Sequence, residues 1–322
     1  MKITILDDYQ HVIENLPCFD LLKGQDVEIL HETEKDPAKL ASLIAGTEIL
    51  VLTRERTEIT EALLSKLPKL KLISQTGKIS NHLNLDACSR YHVAVAEGNG
   101  SPIAPAELTW ALLMNTVRQI PQAIEAMKQG KWQINIGDTV HGKTIGIWGY
   151  GKIGQRIAEY AKAFGAVVLV WGSEHSRKKA VEDGFQQSDT KEHFFKNADI
   201  ITLHLRLNEQ TVGVVKETDL LTMKDHSVLI NTARAELIEK GALLHVLETG
   251  KNIFVGVDVY EEEPFYDTNF ELLKMQNVTC TPHLGYVEKE GYELYFGKAF
   301  ENVIRYINGT PSNIANPEAL SR

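Results

Sequence analysis

One stretch near the middle of the chain constrains its fold more than any other: Lys143-Thr-Ile-Gly-Ile-Trp-Gly149-Tyr-Gly151-Lys152-Ile153-Gly154-Gln-Arg. It reads as an apolar strand from Thr144 to Trp148, a glycine turn, and an amphipathic helix from Ile153 to Phe164. A second β-branched strand, Ala166 to Trp171, follows directly. This order marks an α/β unit, and the three glycines have separate tasks in it. Gly149 permits a tight turn, Gly151 lets backbone N–H groups approach a ligand closely, and Gly154 lets the helix lie against the sheet. The positive end of that helix, which opens with Lys152 and Ile153, then faces an anion. A dinucleotide pyrophosphate requires this arrangement.

At 322 residues the chain exceeds the roughly 250–300 residues at which a single core stops growing, so two domains are expected. Hydrophobic content of 43% and charged content of 24% are those of an ordinary globular protein. No apolar run approaches the roughly 18 residues of a membrane span, and the apolar start Met1-Lys-Ile-Thr-Ile-Leu is too short for a signal-peptide core. The expected location is cytoplasmic, with no membrane partner. Cys18, Cys88 and Cys280 lie far apart without ligand spacing, which excludes a disulfide framework and leaves no metal site to expect. A net charge of −9 argues against a nucleic-acid partner.

Residues 1–98 alternate short strands (Ile3 to Leu6, Val27 to Leu30, Ile49 to Leu52, Leu70 to Gln75, Val93 to Ala96) with helical segments. Asp36 and Pro37 suit the N-cap and first position of one helix, and Thr60 caps another. Runs of Val and Ile without strict alternation predict parallel sheet covered on both faces. Gly98-Asn-Gly-Ser-Pro102 is a flexible connector suited to a hinge, and a long apolar helix follows from Ala104 to about Ile120. Six strands come next: Thr144 to Trp148, Val167 to Trp171, Ile200 to His204, Ser227 to Ile230, Phe254 to Val257 and Val278 to Cys280. A final helix, Val287 to Ile307, would return the chain to the first domain. The prediction is α/β with two doubly wound domains. A flavodoxin-like substrate domain would comprise residues 1–98 plus 288–322, and a Rossmann domain, residues 99–287, would be inserted between them.

Three segments place chemistry where strands end, the ligand-binding edge of an open α/β sheet: Asn231-Thr-Ala-Arg234-Ala-Glu, Asp258-Val-Tyr-Glu-Glu-Glu263-Pro264 and Thr281-Pro-His283-Leu-Gly285. The planar fork of Arg234 suits a carboxylate. His283 suits proton transfer near neutrality, and a carboxylate such as Glu263 on its far ring nitrogen would fix it.

With these segments in order, the chain resembles the D-isomer-specific 2-hydroxyacid dehydrogenase family, which includes glyoxylate/hydroxypyruvate reductases and D-3-phosphoglycerate dehydrogenases. The resemblance covers nearly the whole chain. It implies that Arg234 binds a 2-oxo acid and that Glu263 and His283 form the proton-transfer pair. It places Thr232, Ala233, Asp258 and Gly285 around the nicotinamide of NAD(P)(H), and His204-Leu205-Arg206 beside the cofactor. The substrate carboxylate would be held by backbone N–H groups of Thr76-Gly77-Lys78. The implied reaction is hydride transfer between a nicotinamide and C2 of a 2-oxo or D-2-hydroxy acid, as in a general 2-oxo acid reductase. A homodimer is implied as well, formed through the helix and arm from Ala104 to Lys131. The alternative is a non-catalytic NAD(H)-sensing regulatory protein of the same fold, which would need only the cofactor site.

Some positions depart from the family pattern. After the second Rossmann strand, where NAD-specific units place an acid, stand Gly172, Ser173, Glu174, His175, Ser176 and Arg177. Without that acid, and with Ser173 and Arg177 able to hold a 2′-phosphate, NADP is favoured, although Glu174 opposes it. Lys78 can meet a second anionic group or remain solvated. Ala235 and Tyr286 would narrow the pocket, and Arg54 can reach the substrate or pair with a neighbouring glutamate.

Overall fold

The computed structural model describes residues 1–321, and the chain divides into two compact units, Met1–Ser101 with Val287–Arg322 and Pro102–Tyr286. The first unit is built on five strands: β1 (Lys2–Ile5), β2 (Asp26–Ile29), β3 (Ile49–Leu52), β4 (Leu72–Gln75) and β5 (Ala94–Ala96). They pair in parallel in the order β2-β1-β3-β4-β5, the flavodoxin-like order. Every residue of β3, β4 and β5 is buried, as the unbroken Val/Ile/Leu runs require of a sheet covered on both faces. Asp36 caps the helix Pro37–Leu43 by accepting the Ala38 and Lys39 N–H groups, and Thr60 caps the helix Glu61–Leu64 through the Leu63 N–H. The C-terminal helix Lys289–Ile307 completes this unit. Ser74 Oγ donates to Ala299 O at 2.8 Å, and Asn302 Nδ2 donates to Glu97 O at 3.0 Å.

The second unit has seven parallel strands: β6 (Thr144–Trp148), β7 (Val167–Trp171), β8 (Gln186–Gln187), β9 (Ile200–Leu203), β10 (Val228–Asn231), β11 (Phe254–Val257) and β12 (Val278–Cys280). Their order is β12-β11-β10-β9-β6-β7-β8. Chain order reverses at β6, which has β7 on one side and β9 on the other. The carboxyl ends beside it form the crevice where a doubly wound sheet binds its ligand. The sequence reading missed β8, which has two exposed glutamines and no apolar pattern. The long helix stops at Arg118, before the expected end, because Gln119 adopts a left-handed conformation (φ 52°) and a second helix, Ile120–Lys128, starts with Pro121 in its first turn. The helix Ile103–Arg118 lies tightly on β11. A Cβ at Gly256 would come within 2.7 Å of Thr116 Oγ1 and 3.0 Å of Leu112 Cγ.

Candidate active site

The turn after β6 is shaped by its glycines. Gly149 has φ +101°, and a Cβ there would lie 2.7 Å from His204 O. A Cβ on Gly154 would collide with Gly149 O. At Gly151 nothing lies within 4 Å of a Cβ position, so this glycine leaves open space instead of relieving a contact. Gly151 is also the N-cap of the helix Lys152–Ala163 and supplies no side-chain cap, which leaves the first-turn N–H groups of Lys152 and Ile153 for an anion. The turn therefore fits a dinucleotide pyrophosphate. Tyr150, buried beneath it, donates its hydroxyl to Asp183 Oδ2 at 3.1 Å and so ties the turn to the C-cap of the helix Glu174–Glu182. Sequence reading had no signal for that tie.

At the end of β7, Gly172 has φ 151° and Ser173 caps the helix Glu174–Glu182 by accepting the Ser176 N–H at 3.2 Å. The Arg177 guanidinium lies 5.0 Å over the Trp171 ring. Glu174 pairs with Lys178 at 2.6 Å, so its charge is offset locally.

Beyond β9, the His204 ring is 2.6 Å from Thr202 Oγ1. Although part of this residue reaches solvent, desolvation of the imidazole pushes its pKa down to about 3, and the ring is neutral at working pH. Leu205 packs on the core, whereas the Arg206 side chain is exposed.

Asn231, the last residue of β10, staples the following turn from both sides. Its Oδ1 accepts the Ala233 N–H at 3.1 Å and its Nδ2 donates to Arg234 O at 2.8 Å. Arg234 is half-buried, and its Nη1 donates to Ala233 O at 2.6 Å. Thr232 Oγ1 lies 2.6 Å from Thr109 Oγ1, a contact with no signature in local sequence.

The ends of β11 and β12 meet around Asp258, which is fully buried. Its Oδ1 accepts the Thr281 hydroxyl and the Leu284 N–H, both at 2.7 Å, and its Oδ2 accepts the Gly285 N–H at 3.0 Å. Burial raises the Asp258 carboxyl above its usual range, and the donors offset part of that rise. This clamp holds His283 in a left-handed conformation, φ 52°. His283 Nδ1 is 2.5 Å from Glu263 Oε2, and Glu263 Oε1 accepts the Tyr260 N–H at 2.8 Å. With a carboxylate on Nδ1, the tautomer is set and Nε2 is the nitrogen available for proton transfer. The Tyr286 ring stands edge-on to the imidazole, with centroids 5.7 Å apart.

In the first unit, Thr76 Oγ1 donates to Leu52 O and accepts the Arg54 N–H, both at 2.7 Å. Gly77 has φ +100°, the Arg54 guanidinium packs where its Cβ would be, and Arg54 Nη1 donates to Thr76 O at 3.2 Å. Lys78 is exposed and pairs with Glu97 at 2.7 Å. Among the described residues, no group of histidine, cysteine, aspartate or glutamate could hold a metal ion, and no helix is long and apolar enough to cross a membrane.

The family described as "D-isomer specific 2-hydroxyacid dehydrogenase, NAD binding domain" matches residues 110–285. A D-3-phosphoglycerate dehydrogenase of Bacillus subtilis is 34% identical over 264 residues, 81% of this chain, and the chain spans 50% of that relative's length. A glyoxylate reductase of Thermococcus litoralis is 31% identical over 311 residues, 93% of each chain. The crystal structure of a phosphoglycerate oxidoreductase from Vibrio cholerae o395 superposes with a TM-score of 0.94 at 51% identity, covering 96% of this chain and 99% of that one.

Proposed function

Because the chain belongs to the D-isomer-specific 2-hydroxyacid dehydrogenase family, a family of oxidoreductases, we propose that it is a general 2-oxo acid reductase of the glyoxylate/hydroxypyruvate type, working in the cytoplasm. The observation that carries this reading is the 2.5 Å contact between His283 and Glu263, held at the ligand end of a dinucleotide-binding sheet. A sensor needs no such pair, and the relatives named above give the regulatory reading no support.

A bound reduced nicotinamide supplies the hydride. Arg234 clamps the substrate carboxylate with its planar fork and polarises the neighbouring carbonyl. His283 delivers a proton from Nε2 to the carbonyl oxygen while Glu263 holds Nδ1, and in the oxidative direction the neutral ring takes the proton back. Asp258, Thr232, Ala233 and Gly285 line the nicotinamide end. Within the first unit, the backbone N–H groups of Thr76-Gly77-Lys78 are proposed to bind a carboxylate, while the Arg54 side chain packs against Gly77 and pairs with Glu55 at 3.9 Å.

NADP is the proposed preferred cofactor. Directly after β7 stands Gly172 and no acid, the nearby Glu174 is paired with Lys178, and Arg177 is poised on Trp171 beside Ser173. The protein is also proposed to form a homodimer through the helix and arm from Ala104 to Lys131, whose Ile124 and Met127 side chains are 51% and 65% exposed, with Trp132, 75% exposed, just beyond it.

The test is a panel of glyoxylate, hydroxypyruvate, pyruvate, phenylpyruvate and oxaloacetate, assayed with NADPH and with NADH. Turnover of several small 2-oxo acids, faster with NADPH, is expected. Tight dinucleotide binding with no turnover of any substrate would reject the reductase reading, and equal use of both cofactors would reject the NADP preference.

A further inference from the structure

The dinucleotide site leaves one buried hydroxyl unexplained. Thr109 lies in the helix Ile103–Arg118 and is fully buried. Its Oγ1 bonds back to Pro105 O at 2.7 Å, as threonines inside helices commonly do. The same oxygen is 2.6 Å from Oγ1 of Thr232, the first residue beyond β10. A hydroxyl has one proton and two acceptor positions. With the Thr109 proton aimed at Pro105 O, the proton between the two threonines comes from Thr232. Thr232 Oγ1 then offers only lone pairs to any ligand that approaches it.

The sheet order indicates which ligand group approaches. A dinucleotide lies across the point where strand order reverses, with its pyrophosphate on the glycine turn and its adenosine ribose at the end of the second strand. Here those places are residues 149–154 and the end of β7. The other half of the cofactor must run over the ends of β9, β10 and β11. Thr232 stands at the middle of these, between His204 beyond β9 and Asp258 beyond β11. The nicotinamide carboxamide brings one N–H2 donor and one carbonyl acceptor to that place.

We propose that Thr109 is a positioning residue that commits Thr232 Oγ1 to accept the carboxamide N–H2, so that a helix outside the strand-end loops reads the orientation of the amide. The inference rests on the dinucleotide reading above. It separates the amide from its 3-acetylpyridine analogue, which keeps the carbonyl but carries a methyl group in place of NH2.

Isothermal titration of the full chain with the preferred oxidised dinucleotide and with its 3-acetylpyridine analogue tests this directly. Wild-type protein should bind the natural dinucleotide more tightly. Thr109→Val should narrow that ratio by about three- to tenfold, the worth of one hydrogen bond, and Thr109→Ser should restore it. Thr232→Val, at a half-buried position, should narrow the ratio likewise and carries the test should Thr109→Val fail to fold. An unchanged ratio in the valine variants, with wild-type protein binding both dinucleotides, overturns the proposal. Failure of wild-type protein to bind either dinucleotide would instead reject the cofactor reading beneath it.

Discussion

His283 is held from several directions at once. Glu263 takes Nδ1, Tyr286 packs edge-on to the ring, and Asp258 clamps the backbone just beyond it through Leu284 and Gly285. Such fixing matters because proton transfer depends on position before it depends on acidity. His283→Ala and Arg234→Ala should each lower kcat by at least about 10²-fold, the lower end for general acid catalysis, with dinucleotide affinity nearly unchanged in a binding titration. Near wild-type rates in both would remove these residues from the mechanism. His204 behaves in the opposite way. Its pKa is about 3 in the folded protein against an ordinary 6.5, so between these values the unfolded chain binds a proton that the native state does not. Stability should therefore fall on acidification from pH 6.5 toward 3. His204→Gln, which keeps a partner for Thr202, should show a smaller drop in denaturation midpoint between pH 7 and pH 5 than wild type; an identical drop would deny the linkage.

The strands were the most legible elements. Ile49–Leu52, Thr144–Trp148, Val167–Trp171, Phe254–Val257 and Val278–Cys280 fall where their apolar, β-branched runs predict, because a strand buried on both faces needs little more than such a run. The glycine turn was legible because its demand for glycine lies within the motif itself: Gly149 has φ +101°, and a Cβ on Gly154 would meet Gly149 O. Gly154→Ala tests that demand: its Cβ would meet Gly149 O, so the helix Lys152–Ala163 must shift away from the turn. Dinucleotide affinity should fall by about tenfold or more, in keeping with an overpacking cost of roughly 1–3 kcal/mol, and a titration matching wild type would show that the turn has slack. What was not legible depends on contacts distant in sequence or on single dihedrals. Thr109 meets Thr232 across 123 positions, and Tyr150 meets Asp183 across 33. The break at Gln119 has no breaker at that position, only Pro121 two residues later.

For the whole molecule, the apolar arm around Trp132 is the feature that solution behaviour should report. Ile124→Asp combined with Trp132→Glu should convert a dimer to a monomer by light scattering while leaving the far-ultraviolet spectrum unchanged; a wild-type protein that is already monomeric would refute the assembly. The order of the chain has a consequence of its own. The first unit opens with β1 and closes only with the helix Lys289–Ile307, whose Phe296, Ala299, Phe300 and Val303 are buried, and all of Pro102–Tyr286 lies between. Chains leave the ribosome N-terminus first. The five strands of the first unit must therefore wait, with the apolar surface meant for that helix uncovered, while the contiguous second unit is synthesised and free to close. Of the two units, the one whose strands are made first is the last that can be finished.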